Sequence, residues 1–308
     1  MDAFSFNKLV IFGVGLIGGS LARALRERAG IEGRVVGVGR SLRSVERALE
    51  LGVIDEAVAL DDDAALARAL HGADLVLIAA PVAQTEPLLA RIAPLLEART
   101  IVTDAGSTKS DVVAAARAAL GVKLAQFVPG HPIAGRESSG VDAALPDLYV
   151  DRNVVLCPLA ENAPADVDRI AAMWRATGAA VHRMSETQHD RVFASVSHLP
   201  HVLSFALVEQ ILQAPDAELK FSFAAGGFRD FTRIAASSPE MWRDICVANR
   251  AALLAELDDY AAVLARFRAA IDASDGAALE AAFARSRVAR KEWQERGSIK
   301  TSGDPAAK

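Results

Sequence analysis

Cysteine is nearly absent. Only Cys157 and Cys246 occur in a chain of 308 residues, and neither stands in a CxxC spacing. That excludes a disulfide framework and points to a reduced, cytoplasmic protein. No apolar run reaches the roughly 18 residues that a membrane span needs. The first strand begins so soon after Met1 that no signal peptide is expected. Basic charge is not in excess either: the formal net charge is −5 at pH 7. Neither nucleic acid nor an anionic membrane is therefore expected as a partner. Internal repeats and low-complexity tracts are missing too. What remains is a chain with 52% hydrophobic and 24% charged residues, long enough for two domains with cores of their own.

Up to about residue 183, strand-like runs alternate with helical ones. The strands are Lys8–Phe12, Arg34–Val38, Ala73–Ala79, Thr100–Thr103, Asn153–Leu156 and Ala180–Arg183. Helical patterns follow at Arg43–Leu51, Leu66–Leu70, Thr85–Leu96, Asp111–Leu120 and Val167–Thr177. Such alternation implies a mostly parallel sheet covered on both faces. From Glu186 onward strands disappear, and apolar residues recur at helical spacing through Val192, Val196, Leu199, Leu203, Leu207 and Ile211. Pro200 should kink that helix. The expected organisation is a dinucleotide-binding domain over 1–183, a helical substrate and dimerisation domain over 184–296, and a disordered tail over 297–308.

The cofactor enters at Gly13-x-Gly15-x-x-Gly18, which follows an apolar strand and opens an amphipathic helix. Gly13 would make the tight turn, Gly15 admit a pyrophosphate, and Gly18 let helix and strand pack closely. Gly13, Gly15, Leu16, Ile17 and Gly18 are thus cofactor-binding candidates, and the helix start offers free N–H groups to phosphate. The fold class is α/β: a Rossmann-type, doubly wound, mostly parallel sheet followed by an all-helical C-terminal domain. At the tip of the second strand, the Asp or Glu usual for NAD is absent. Arg40, Ser41 and Arg43 cluster there instead, which favours NADP over NAD.

Six histidines are present. His71 ends a helix, where a cation suits the dipole, and His182 and His189 read as structural or surface residues. His131 sits between Gly130 and Pro132 in a loop expected after a strand, where open α/β sheets face their ligands. His198 and His201 flank the expected kink. No further Cys, His or paired carboxylate completes a metal site around them, so no metal is expected. Arg229 and Arg233 share a helical face, and an arginine there suits a substrate carboxylate. The alternative is an Asp–Arg network through Asp230 that locks helices together.

In order along the chain, GVGLIGGS (13–20), TDAGSTK (103–109), GHPIAG (130–135), SHLPH (197–201) and GGFRDFTRIAASSPEMWRDI (226–245) resemble the prephenate/arogenate (cyclohexadienyl) dehydrogenase family of tyrosine biosynthesis. The likeness runs from about Leu9 to Asn249. It implies oxidation of a cyclohexadienol ring with loss of CO2. The architecture, an α/β nucleotide domain before a helical one as in many dehydrogenases of small acids, leads to the expectation of a homodimer. The likeness implies that His131 accepts the hydrogen bond from the ring hydroxyl and that Ser107 bonds the same hydroxyl. It also implies that Arg233 holds the ring carboxylate and His201 the far end of the substrate, with His198 orienting its neighbours. Glu137, Asp190 and Trp242 resemble an access gate, with Trp242 offered by a second subunit. Prephenate and arogenate differ by a keto against an amino group, and no residue here decides between them. A β-hydroxyacid dehydrogenase would need a lysine on the first long helix of the second domain, yet none occurs between Met184 and Leu219. A non-catalytic NADP-sensing module would have no use for His131 together with Arg233.

Overall fold

A computed structural model describes residues 4–136 and 138–302. The first half runs β1 (Lys8–Phe12), α1 (Leu16–Arg23), β2 (Arg34–Gly39), α2 (Leu42–Glu50), β3 (Glu56–Ala59), α3 (Asp63–Leu70), β4 (Leu75–Ile78), α4 (Thr85–Ile92), β5 (Ile101–Asp104) and α5 (Ser110–Leu120). Then come β6 (Phe127–Val128), β7 (Gly130–Pro132), β8 (Asn153–Leu156), α6 (Pro164–Ala176) and β9 (Ala180–Arg183). Six parallel strands form a sheet in the order β3-β2-β1-β4-β5-β6, and a second sheet has the order β7-β8-β9.

The central strands are continuously apolar because both faces are covered. Leu9 and Ile11 of β1, with Leu75 and Leu77 of β4, enter one core. Their neighbours Val10, Phe12, Val76 and Ile78 enter the other. Strand order reverses between β1 and β4, so a crevice opens at their carboxyl ends, where such folds take ligands. Three strands, β3, β6 and β7, were not expected. Each has only two to four residues, too few for an alternation to register. His131 accordingly lies on β7, opposite Val155 of β8, and not in a loop.

The second half is helical among the described residues: α7 (Glu186–Phe193), α8 (Leu199–Leu212), α9 (Ala217–Ser222), α10 (Gly226–Thr232), α11 (Pro239–Ala248), α12 (Arg250–Asp272) and α13 (Gly276–Ser302). A π-helical turn, Ala194–His198, joins α7 to α8. This turn takes the place of the expected proline kink, because Pro200 falls in the first turn of α8, where its missing N–H costs little. The stretch Glu186–Leu212 is, by length and composition alone, apolar enough to cross a membrane. Within it, however, His189, Asp190, His198 and Ser204 are buried polar side chains, so a face of it is fixed in protein.

Among the described residues, those up to Leu253 form one compact unit and those from Leu254 another. Within the first unit α7 bonds onto the sheet domain, and the residue that ends α11 bonds onto α7. Asp190 accepts two backbone N–H bonds from the start of α5, and Asn249 donates to the Asp190 carbonyl. In the second unit α12 and α13 pair, with Phe267 edge-on to Phe283 at 5.6 Å between ring centroids. Helix α13 continues past Arg296 to Ser302, into the segment expected to be a tail. Residues 303–308 lie outside the described residues.

Candidate active site

Two clusters meet the crevice, and the first grows from the end of β5. Asp104 is 1% exposed and Lys109 fully buried, and the two form an ion pair. The other bonds of Asp104 tie two segments together. Oδ2 accepts from Gly106 N–H at 2.8 Å, fixing the turn that carries Ser107. Oδ1 accepts from Gly130 N–H at 2.9 Å, fixing the strand that carries His131. One carboxylate thus sets the register between Ser107 and His131.

His131 is part-buried, with Nδ1 2.8 Å from His189 Nε2. On its other side His189 Nδ1 lies 2.9 Å from Asp190 Oδ1. Phe193 packs edge-on to His131 at 5.0 Å and tilted against His189 at 4.4 Å. Desolvation drives the His131 pKa well below the ordinary 6.5, and the nearby His189, Lys109 and His198 push it the same way. Its neutral form therefore prevails at physiological pH. Burial also lowers His189, against the pull of Asp190. Asp190 itself is held at about 2 despite burial, by bonds from His189, Ser110 and Lys109.

The second cluster surrounds α8. His201 Nδ1 donates to the Ser197 carbonyl at 2.8 Å, which leaves Nε2 as its accepting atom. Trp242 stacks on the His201 ring at 3.5 Å between centroids and 21° between planes. Burial, together with the charge of Arg233, lowers the His201 pKa. His198 is 1% exposed and accepts at Nδ1 from Asn249 Nδ2 at 3.0 Å. The amide is fixed in that sense because its nitrogen also donates to a carbonyl. Desolvation takes the His198 pKa to about 4.

The structure thus brings His131, Asp190 and His198 into one connected network, and His201, Trp242 and Arg233 into the adjoining one. Arg229 lies on α10, whereas Arg233 begins a separate 3-10 turn. Both are exposed. Asp190 is buried with both oxygens engaged, unlike a mobile gate. Trp242 covers His201 of its own chain. Glu137 lies outside the described residues. His189, read from the sequence as structural or surface, is fully buried in contact with His131. The available signal was the adjacent His189–Asp190 pair in the first turns of a helix, with Phe193 four residues on.

The nucleotide cradle is formed by β1 and α1. Gly13 has φ +93°, and a Cβ there would sit 2.6 Å from the Ala79 carbonyl oxygen. A Cβ on Gly18 would reach within 2.7 Å of Ile11 Cγ2, whereas one on Gly15 would meet nothing within 4 Å. Gly15 therefore borders open space above the first turn of α1, which has no side-chain cap and no acidic residue. Leu16 and Ile17 supply the N–H groups there. This arrangement fits a bound pyrophosphate. At the end of β2, Arg40, Ser41 and Arg43 are exposed. Neither arginine forms an ion pair among the described residues, and the Ser41 side chain leaves α2 uncapped.

Comparison with known proteins agrees with this architecture. Residues 21–183 match the family model described as prephenate dehydrogenase, nucleotide-binding domain. Residues 185–285 match prephenate dehydrogenase, dimerization domain. A cyclohexadienyl dehydrogenase of Zymomonas mobilis is 36% identical over 288 residues, covering 92% of this chain and 95% of that protein. A prephenate dehydrogenase of Bacillus subtilis is 36% identical over 271 residues, covering 87% of this chain and 71% of its own length. The crystal structure of prephenate dehydrogenase from A. aeolicus, in complex with hydroxyphenyl propionate and NAD+, superimposes with a TM-score of 0.87. It is 34% identical and covers 94% of this chain and 99% of the other.

Proposed function

The chain belongs to the prephenate dehydrogenase family, and from that premise we propose how its residues divide the work. It is an NAD(P)-dependent oxidoreductase that converts prephenate to 4-hydroxyphenylpyruvate and CO2. His131 carries this reading: a neutral imidazole with one nitrogen engaged by His189, tied through Asp104 to the turn of Ser107.

When bound, the nicotinamide would supply the hydride acceptor. The neutral His131 takes the hydroxyl proton from the ring carbon that loses hydride. Ser107 bonds the same oxygen. When the ring carboxylate leaves as CO2, its bonding pair enters the ring and passes to that oxygen. His131 then returns the proton, so the phenol forms with no net proton change. Arg233 pairs with the ring carboxylate, and His201 Nε2 faces the far end of the substrate with Trp242 as its platform. His198 orients its neighbours.

Arg233→Gln is expected to raise KM for prephenate by about 10–100-fold, with kcat and cofactor KM close to wild type. Equal losses for cofactor and substrate would mark Arg233 as a structural link instead. Prephenate is preferred here over arogenate, and initial rates with both test that choice.

NADP is the favoured nucleotide, supported by two uncommitted arginines and an uncapped α2 beside Gly39. Arg40→Ala should weaken NADP at least tenfold more than NAD, read as kcat/KM for each. A wild type preferring NAD tenfold would refute it. Gly39→Asp is the poorer test, because its Cβ would fall 2.8 Å from Val45 Cγ1. A homodimer is supported by the match of residues 185–285 and by exposed Leu264, Ile271, Phe283 and Val288 on the helical pair. The unpaired Cys157 and Cys246 support a cytoplasmic location.

A further inference from the structure

We propose that His189, anchored by Asp190, is a positioning residue that fixes the tautomer of His131 and so decides which of its nitrogens is the base. The proposal rests on the assignment of His131 as that base.

The chain of donors and acceptors leaves one consistent arrangement. Both Asp190 oxygens accept backbone N–H bonds at 2.8 Å, from Lys109 to Oδ1 and from Ser110 to Oδ2. The carboxylate is thereby held ionised and acceptor-only. His189 Nδ1 faces that carboxylate at 2.9 Å, so Nδ1 carries the proton of this histidine. In a neutral ring, Nε2 then has only a lone pair. His131 Nδ1, 2.8 Å from that lone pair, must donate to it. The His131 proton is therefore on Nδ1, and Nε2 is left as its only basic atom.

The opposite tautomer would set two lone pairs against each other at 2.8 Å. That is the condition under which a correctly placed imidazole fails as a base. The groups facing His131 are His189 from α7, Lys109 from the start of α5 and His198 from the π turn. Lys109 bears a positive charge, whereas the two histidines are neutral. None of these accepts at His131 Nδ1 except His189. Asp190 does not take the proton onward, since three donors hold it ionised; it aims and polarises His189. Because the same carboxylate caps α5, movement of that helix relative to α7 would also turn the His131 ring.

The test combines a spectrum with a mutant cycle. In wild-type enzyme labelled with 15N-histidine, long-range 1H–15N correlations should show His131 neutral with its proton on Nδ1. A proton on Nε2 would overturn the proposal without any variant having to fold. His189→Asn retains a partner for Asp190 but cannot reach His131. It should lower kcat roughly 10²-fold, with KM for prephenate and NADP within about threefold. The double variant with His131→Asn should be no slower than His131→Asn alone, because His189 acts only through His131. Losses that multiply, or a His189→Asn enzyme with wild-type kcat, would contradict the positioning role. If His131→Asn itself keeps full kcat, the base has been misassigned, and both readings fall together.

Discussion

His131→Asn is expected to lower kcat by roughly 10²–10⁴-fold while KM for prephenate and for the nucleotide changes little. Asparagine still offers hydrogen bonds to a substrate hydroxyl but cannot accept its proton, so the loss should fall on the chemical step. The pH profile gives the second half of the expectation. His131 works in its neutral form, and so activity rises with pH as the imidazolium loses its proton. Burial, with Lys109, His189 and His198 around the ring, holds that pKa well below 6.5. The acid limb of kcat/KM should accordingly lie below 6.5 and be flat above it, and the limb should vanish in the variant. Near-normal kcat in His131→Asn, or a limb centred above 6.5, would remove His131 from the role of base.

Lys109→Met should cost stability on a scale that surface charges do not approach. Its ammonium is fully buried against Asp104, and removing one partner of a buried pair typically costs about 3–5 kcal/mol. Methionine fills much of the volume, so the loss reflects the stranded carboxylate more than a cavity. Asp104 would retain the Gly106 and Gly130 N–H groups, which places the expected value near the lower end of that range. Losing the cation also removes one of the influences that depress His131, so the acid limb of kcat/KM should move to higher pH. Denaturant unfolding reads the first effect and the pH profile the second. A stability loss below about 1 kcal/mol would mean that the pair contributes no more than a surface salt bridge.

The glycine fingerprint was legible in the sequence because each glycine meets a distinct steric demand. Gly13 has a positive φ and Gly18 a helix–strand contact, while Gly15 borders open space. The helical half was legible because its apolar residues repeat at helical spacing. Less could be read where elements are short or where burial is polar. Strand β7 has three residues, so His131 looked like a loop residue. The buried face of α7 is His189, Asp190 and Phe193, two of which carry no hydrophobic signal. The partnership of His131 with His189 spans 58 positions and exists only once β7 and α7 are packed together. Pro200 pointed to a kink, but at a helix start the proline is tolerated, and the irregularity falls one turn earlier.

Oxidation and decarboxylation of a cyclohexadienol take place in one site of this chain. The direct measurement is the stoichiometry of products when the protein is incubated with prephenate and either NADP or NAD. Reduced nicotinamide, CO2 and 4-hydroxyphenylpyruvate should appear in equal amounts, and at least about a hundredfold more slowly in the His131→Asn enzyme. Absence of nicotinamide reduction, or reduction without release of CO2, would contradict that activity.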